Sequence, residues 1–340
     1  MEKMASEFRS PTPNPQPPTP NPHPLGLTVI ELLGKTQIDF VAWRRIAFII
    51  SSILCLLGIV AIIQIGRGAA NLGIDFAGGT SVQLKFNKPV DLGQIRTLLA
   101  ESGLKDSEPQ QFAGGDRIMV RVKRAEDSQV GMAQRVQDIF SKGLPDNPFV
   151  VEGTNEVGPA IGKDLQKAAL WAITISMLGI IAYIAWRFEF KFGVAAAIAT
   201  LHDVLAVLGL FMVLNREITL LIVTALLTLA GYSLSDTVVV FDRIRENLRG
   251  RRKESLGEII NISINEVVSR TTVTGITVLL VLFALFLLGG EVLHDFSLAL
   301  IAGIGVGTFS SWFVASPIVY EWRIWERAKV QASAKVKAKG

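Results

Sequence analysis

Cysteine is nearly missing from the chain: Cys55 is the only one among 340 residues. That excludes an intrachain disulfide framework and a cysteine-built metal cluster. Histidine is equally scarce, with His23, His202 and His294 far apart, so no histidine-built metal centre and no cofactor are expected. Charge is thin as well, at 19% of residues against about 25% in ordinary globular chains. The sequence holds no HExxH, no GxSxG and no paired catalytic carboxylates, which argues against an enzyme. The string GIGVGT at 303–308 imitates part of a nucleotide loop but lies inside an apolar run with no strand before it. Gly34-Lys35-Thr36 imitates the end of another, yet Val29 stands where the upstream glycine is required.

What the chain has in quantity is apolar surface. Half its residues are apolar and the mean hydropathy is +0.41, more than a soluble protein of this length can hide. Six windows of about 20 apolar residues match the thickness of a bilayer's hydrocarbon core: 46–65, 168–186, 192–214, 218–241, 270–288 and 296–320. The first follows Arg44-Arg45, begins far from Met1 and shows no cleavage site, so it reads as an uncleaved span at 46–66. Lys and Arg cluster before span one, between spans two and three, after span four at 243–253 and in the tail at 321–340. The short loops at 214–219 and 289–295 carry almost none. This alternation predicts cytoplasmic termini and places residues 67–165 outside.

Residues 1–24 end in PTPNPQPPTPNPHP, a run too poor in backbone donors for regular structure, and are expected as a disordered or polyproline tail. The apolar spacing over 25–40 suggests a short amphipathic helix on the inner surface, within a cytoplasmic segment at 25–45. In the external segment, 80–86 alternates as a strand and Asp91 can cap a helix to about residue 101. Extended stretches near 108–112 and 118–122 flank a turn, 128–141 has helical periodicity, and 147–153 closes as a strand. The order β-α-β-β-α-β predicts a small ferredoxin-like domain, followed by a five-helix membrane bundle over 166–320.

Ionisable groups inside a membrane cost a few kcal/mol each, about 2.5–3.5 on the lenient insertion scale, so each is a functional candidate. Asp203, preceded by His202, lies midway along span three. Asp236 lies near the end of span four, and Arg270 opens the antiparallel span five, so the two can meet at similar depth. A static pair that fixes helix packing and a pair that breaks as Asp236 takes up a proton or cation both fit these residue types. Ser233, Ser235, Thr237, Thr271, Thr272 and Thr274 supply hydroxyls around them that can hold water. His202 suits helix packing or a supporting proton relay, and 291–295 reads most simply as an outer loop. Gly303, Gly305 and Gly307 in span six, with Ser310 and Ser311, let another helix approach closely.

Several motifs together carry a family resemblance: ELLGKTQIDF at 31–40, GIDFAGGT at 73–80, VGPAIGKDL at 157–165, LHDV at 201–204, GYSLSDTVVVFDRIREN at 231–247 and SRTTVTG at 269–275. The chain resembles the SecF branch of the SecD/SecF family, over about residues 27–325. The octapeptide supplies the family signature Gly73, Ile74, Asp75, Phe76, Gly78, Gly79 and Thr80. The resemblance implies half of a bundle of the RND type, in the bacterial inner membrane, with a periplasmic domain between helices one and two. It also implies pairing with SecD, action with the SecYEG channel and YajC, and an unfolded preprotein as substrate, with no nucleic acid. Asp236 and Arg270 fall on positions tied to proton or sodium coupling in that family, with Asp203 as a further ion-coupling candidate. A purely structural subunit and a stand-alone RND-type exporter stay open as alternatives.

Overall fold

A computed structural model of the chain describes residues 36–105, 107–112, 114–123, 131–251 and 253–337. The Pro-rich head and residues 25–35 of the expected surface helix lie outside these. Six helical segments are long and apolar enough to cross a membrane. The chain begins with α1 (Arg44–Gly66) and continues through a single-turn helix α2 (Ile74–Ala77) into the α/β domain. That domain runs β1 (Gly79–Phe86), α3 (Leu92–Glu101), β2 (Ser107–Gln111), β3 (Arg117–Lys123), α4 (Met132–Gly143) and β4 (Phe149–Val157). The bundle resumes with α5 (Pro159–Arg187), α6 (Phe190–Val213), α7 (Leu220–Gly250), α8 (Leu256–Leu288) and α9 (Gly290–Ser310). A π-helical turn at Ser311–Ala315 joins α9 to α10 (Ser316–Lys337).

The four strands form one antiparallel sheet in the order β2-β3-β1-β4, as the ferredoxin-like plan requires. Period-two alternation divides its faces. Val82, Leu84, Phe86, Ile118, Val120 and Val122 point into a core closed by Ile95 and Leu99 of α3 and by Val136 and Phe140 of α4. Each such side chain contributes about 1.5–3 kcal/mol on burial. Asp91 caps α3, its carboxylate accepting from the Gln94 amide at 2.9 Å. The other face carries Ser81, Gln83, Met119 and Arg121 and looks toward the start of α7.

Several boundaries depart from the sequence reading. Residues 36–39 are not helical and helix α1 begins only at Arg44. Instead, two asparagines one turn apart on α8 grip this segment: Asn265 bonds both the N–H and the C=O of Ile38 (3.0 and 2.8 Å). Asn261 accepts from the Val41 amide (3.0 Å) and donates to Asp39 (2.7 Å), while Phe40 packs on Trp312 and Phe313. Strand β4 runs on to Val157, because its polar end is an edge that β1 pairs along its whole length. Helix α5 starts nine residues before the apolar window, with Pro159 at its first position, where a missing N–H costs nothing. Helix α8 starts 14 residues before its window, behind a capping box formed by Ser255 and Glu258. His294 and Asp295 belong to the first turns of α9 and not to a loop.

Helices α6, α7 and α9 form the enclosed centre of the bundle, whereas α1, α5 and α8 expose long apolar faces. At the crossing of α1 and α6, a Cβ on Gly58 would lie 2.3 Å from the Leu205 carbonyl oxygen, and one on Gly209 would lie 2.9 Å from the Gly58 nitrogen.

Candidate functional site

Asp203 sits on α6 with no exposed surface. Its Oδ2 accepts from Ser310 Oγ at 2.9 Å and from Ser233 Oγ, and its Oδ1 lies 2.9 Å from His202 Nδ1. The donors come from α6, α7 and α9, so one carboxylate ties the three central helices together. All three contacts donate to the carboxylate oxygens when His202 carries its proton on Nδ1. His202 Nε2 is then buried without a partner among the described residues. The approach depends on glycine: a Cβ on Gly307 would sit 3.1 Å from Ser233 Cβ and 3.6 Å from Asp203 Oδ2. One on Gly303 would sit 2.6 Å from the Leu229 side chain. Just beyond, the π turn widens the helix, and hydroxyls bond its carbonyls: Ser311 Oγ to Gly307 (2.9 Å) and Ser316 Oγ to Ser311 (2.9 Å). Thr237 Oγ1 meets Ser311 Oγ at 2.9 Å.

Asp236, one turn from Ser233 along α7, is a contrasting case. It too is buried, but its Oδ2 has no hydrogen-bond partner among the described residues. Among the described residues no ion pair joins it to Arg270, which is exposed on α8. The expected ring of hydroxyls divides. Ser233, Thr237 and Thr271 are buried, Thr272 is half-buried, and Ser235 and Thr274 are exposed. Thr271 and Thr274 bond back to their own helix, at Val267 (3.2 Å) and at the Arg270 carbonyl (2.9 Å). Thus Arg270, Thr274 and Ser235 are open at the surface of this chain, while Asp236 is enclosed.

The signature octapeptide forms the joint between the sheet and the bundle. Leu72 bridges Ile218 in parallel fashion, with Gly73 N–H donating to the Ile218 carbonyl (3.0 Å) and Ile218 N–H to Asn71 (2.8 Å). Gly73 must lack a Cβ, which would meet Thr219 Cγ2 at 2.7 Å. The Asp75 carboxylate accepts from the Leu220 amide (3.0 Å) at the start of α7, where a negative charge suits the helix end. Gly78 and Gly79 take positive φ of 76° and 147°, and a Cβ on Gly79 would strike the Val122 oxygen at 2.5 Å. Ile74, Phe76 and Thr80 are buried. The second motif locks onto the first: Gln166 Nε2 donates to the Phe76 carbonyl (2.8 Å), and Gly162 is where a Cβ would lie 2.8 Å from that oxygen.

Beside this joint, the loop residue Glu217 is only 5% exposed. Its Oε2 pairs with Arg121 of β3 at 2.9 Å. Burial, together with the adjoining Glu108 carboxyl, pushes Glu217 up to about 8. The hydrogen bond from Glu217, aided by Lys123 and Arg121, holds Glu108 below its ordinary range despite partial burial. Sequence reasoning missed Glu217, Gly58 and Gly209, and took Ser310 for helix packing without its bond to Asp203. Glu217 looks like a solvated loop charge until the sheet covers it, and only the fold brings Ser310 to Asp203.

Such an arrangement defines a polytopic membrane protein: a six-span half-bundle of the RND kind bearing a ferredoxin-like domain. Comparison with known proteins agrees. The family model described as "Protein export membrane protein SecD/SecF, C-terminal" matches residues 144–325, and the "SecD/SecF GG Motif" matches residues 70–90. A protein translocase subunit SecF of Thermodesulfovibrio yellowstonii is 50% identical over 293 residues, covering 86% of this chain and 96% of that one. The subunit of the same name from Vibrio alginolyticus is 38% identical over 288 residues, covering 84% and 90%. The crystal structure of SecDF from Thermus thermophilus, titled a translocon-associated membrane protein, superposes with a TM-score of 0.71 at 34% identity. The match covers 85% of this chain but only 39% of that longer one. The chain belongs to the SecD/SecF family.

Proposed function

We propose that the chain is the SecF-type subunit of a bacterial protein-export machine, using an ion gradient to help draw preprotein across the inner membrane. In this reading the termini are cytoplasmic and the α/β domain is periplasmic. SecD covers the exposed apolar faces of α1, α5 and α8, completing a bundle of which this chain supplies half. SecYEG, with YajC, provides the channel. Family membership supports the export role, and one observation carries the coupling: Asp236 is a buried carboxylate with an unpartnered oxygen, in a chain whose Arg270 is exposed on the antiparallel helix.

Leaving a carboxylate unpaired in a low-dielectric site is costly, and a proton, a cation or a guanidinium each relieves the cost. Asp236 therefore has two stable conditions, neutral in the arrangement described above or charged and paired with Arg270 after α7 and α8 shift. Asp203, with its donors in place, is the fixed charge that keeps α6, α7 and α9 in register while this happens. A membrane potential supplies about 2.3 kcal/mol per charge per 100 mV, enough to bias such an equilibrium. The test is the maturation rate of a secreted precursor in cells depleted of their own SecD and SecF. They are rescued with the matched SecD and this chain, either unaltered or as Asp236→Asn, at equal membrane abundance. Precursor accumulation with the Asn variant is expected; full rescue would mean that the subunit only stabilises the complex.

A further inference from the structure

The α/β domain meets the bundle through a seam whose polar centre lies outside the apolar spans. Cross-strand neighbours Arg121 and Glu108 share the sheet face that looks toward the bundle, and Glu217 rises to meet them from the loop between α6 and α7. Arg121 takes one oxygen of Glu217 at 2.9 Å. The other oxygen, Oε1, is buried with no donor, and the Glu108 carboxyl lies within hydrogen-bonding reach of Glu217. Lys123 completes the cluster, donating to Glu108 at 3.2 Å and to Asn71 Oδ1 at 2.7 Å. Asn71 is the residue whose carbonyl takes the Ile218 amide in the bridge. The remaining charges nearby are otherwise engaged. Asp75 accepts from the Leu220 amide, and Arg216 turns to Asp295 of α9 at 3.4 Å, with His294 Nδ1 on that same carboxylate at 3.3 Å. A cleft of about 360 Å³ lined by Asp75, Gln83, Arg121 and Glu217 opens beside the cluster and admits water.

Two carboxyls in contact, one of them enclosed and short of a donor, are satisfied when a single proton lies between them. We propose that Glu217 and Glu108 bind one proton between them and that this shared proton fastens the α/β domain to the bundle. When it is present, the Glu217 hydroxyl donates to the Glu108 carboxylate, which Lys123 also holds. When it leaves to water in the cleft, two adjoining carboxylates remain and Glu217 is a buried anion with Arg121 as its one close cation. The seam then opens at the Leu72–Ile218 bridge. This inference does not rest on the reading of Asp236.

The direction with pH follows. Glu217 titrates near its ordinary 4.5 once the seam is open and near 8 when it is closed. The closed seam therefore binds the extra proton between those values and loses favour as pH rises toward the upper one. Below the lower one the open state also protonates Glu108, which the closed seam resists, so the favour is greatest near the lower value. Over that window the closed-to-open ratio falls by up to about tenfold per pH unit.

Pulsed electron paramagnetic resonance on the full chain in lipid nanodiscs tests this. Spin labels are carried by Lys142→Cys on α4 and Leu288→Cys at the end of α8, in a Cys55→Ser background. The expected result is one short distance at pH 5 and a growing longer population toward pH 8.5. Glu217→Gln, whose amide donates to Glu108 and cannot lose a proton, keeps the short distance throughout. Glu108→Gln, which takes away the carboxyl neighbour but leaves Glu217 buried, moves the opening to lower pH. A distance distribution unchanged between pH 5 and 8.5, or an unaltered pH profile in both Gln variants, overturns the proposal. So does loss of the profile in Asp236→Asn, which would assign it to the membrane carboxylate.

Discussion

Asp203 and Asp236 are the same residue type, on adjacent helices at the centre of one bundle, and their surroundings differ. Around Asp203, Ser233, Ser310 and His202 converge from three helices, and glycine at 307 clears the space. Around Asp236, one turn further along α7, an oxygen is buried without a donor. The first environment surrounds its carboxylate with hydrogen-bond donors, whereas the second leaves a carboxylate oxygen without one. A carboxylate held in place and a carboxylate with an unpartnered oxygen are what the proposed coupling assigns as its fixed and movable parts.

The largest expected effect falls on the fixed site. Asp203→Ala leaves the Ser233 hydroxyl and an imidazole N–H without their acceptor, at about 1–3 kcal/mol for each buried group, while Ser310 Oγ keeps the Gly307 carbonyl at 3.1 Å. The thermal unfolding midpoint of the detergent-solubilised protein should drop sharply, while Asp236→Asn leaves it unchanged or slightly raised. Equal losses in the two variants would break the comparison. Next comes the helix crossing that holds α6 in place. Gly58→Val drives a side chain into the Leu205 backbone, 2.3 Å from its Cβ, and overpacking of this kind costs typically about 1–3 kcal/mol. The same unfolding measurement should show it, and Gly305→Ala, where a Cβ meets nothing within 4 Å, should be silent.

Smaller effects sharpen the picture. Ser310→Ala removes one of the two hydroxyl donors to Asp203 Oδ2, and a hydrogen bond to a charged group contributes about 1.5–3 kcal/mol. Its loss should lower the midpoint by less than Asp203→Ala does. Smallest is the joint. Asp75→Ala takes the acceptor from the Leu220 amide in the first turn of α7, which Thr219 still caps, at about 0.5–1.5 kcal/mol, whereas Asp75→Asn keeps an oxygen for that amide and should be nearly silent. Hydrogen exchange of that amide reads the difference directly.

How much of this the sequence discloses depends on the range of the interaction involved. The six spans are legible because hydrocarbon thickness sets a length that composition alone can meet. The sheet is legible because Val82, Leu84 and Phe86 alternate and Asp91 announces a helix. The early start of α8 carried a signal as well, since Ser255-Leu256-Gly257-Glu258 is a capping box ahead of the apolar window. By contrast, the expected helix over 25–40 rested on apolar spacing. The structure shows residues 38–41 bonded to Asn261 and Asn265, more than 200 positions away. The buried state of Glu217 likewise comes from a sheet laid over it, and the ring around Asp203 from three helices meeting. The Asp236–Arg270 pair rests on similar depth in antiparallel spans and on the family resemblance; neither fixes rotation about the helix axis, and Arg270 is exposed on this chain.

The most direct measurement is infrared spectroscopy of the carboxyl stretch of the subunit, co-expressed with a SecD, in lipid and in a Glu217→Gln background, titrated with pH. The expected result is a protonated-carboxyl band that vanishes in Asp236→Asn and persists in Asp203→Asn. A band that persists in Asp236→Asn and vanishes in Asp203→Asn would reverse, and so contradict, the roles assigned to the two carboxylates.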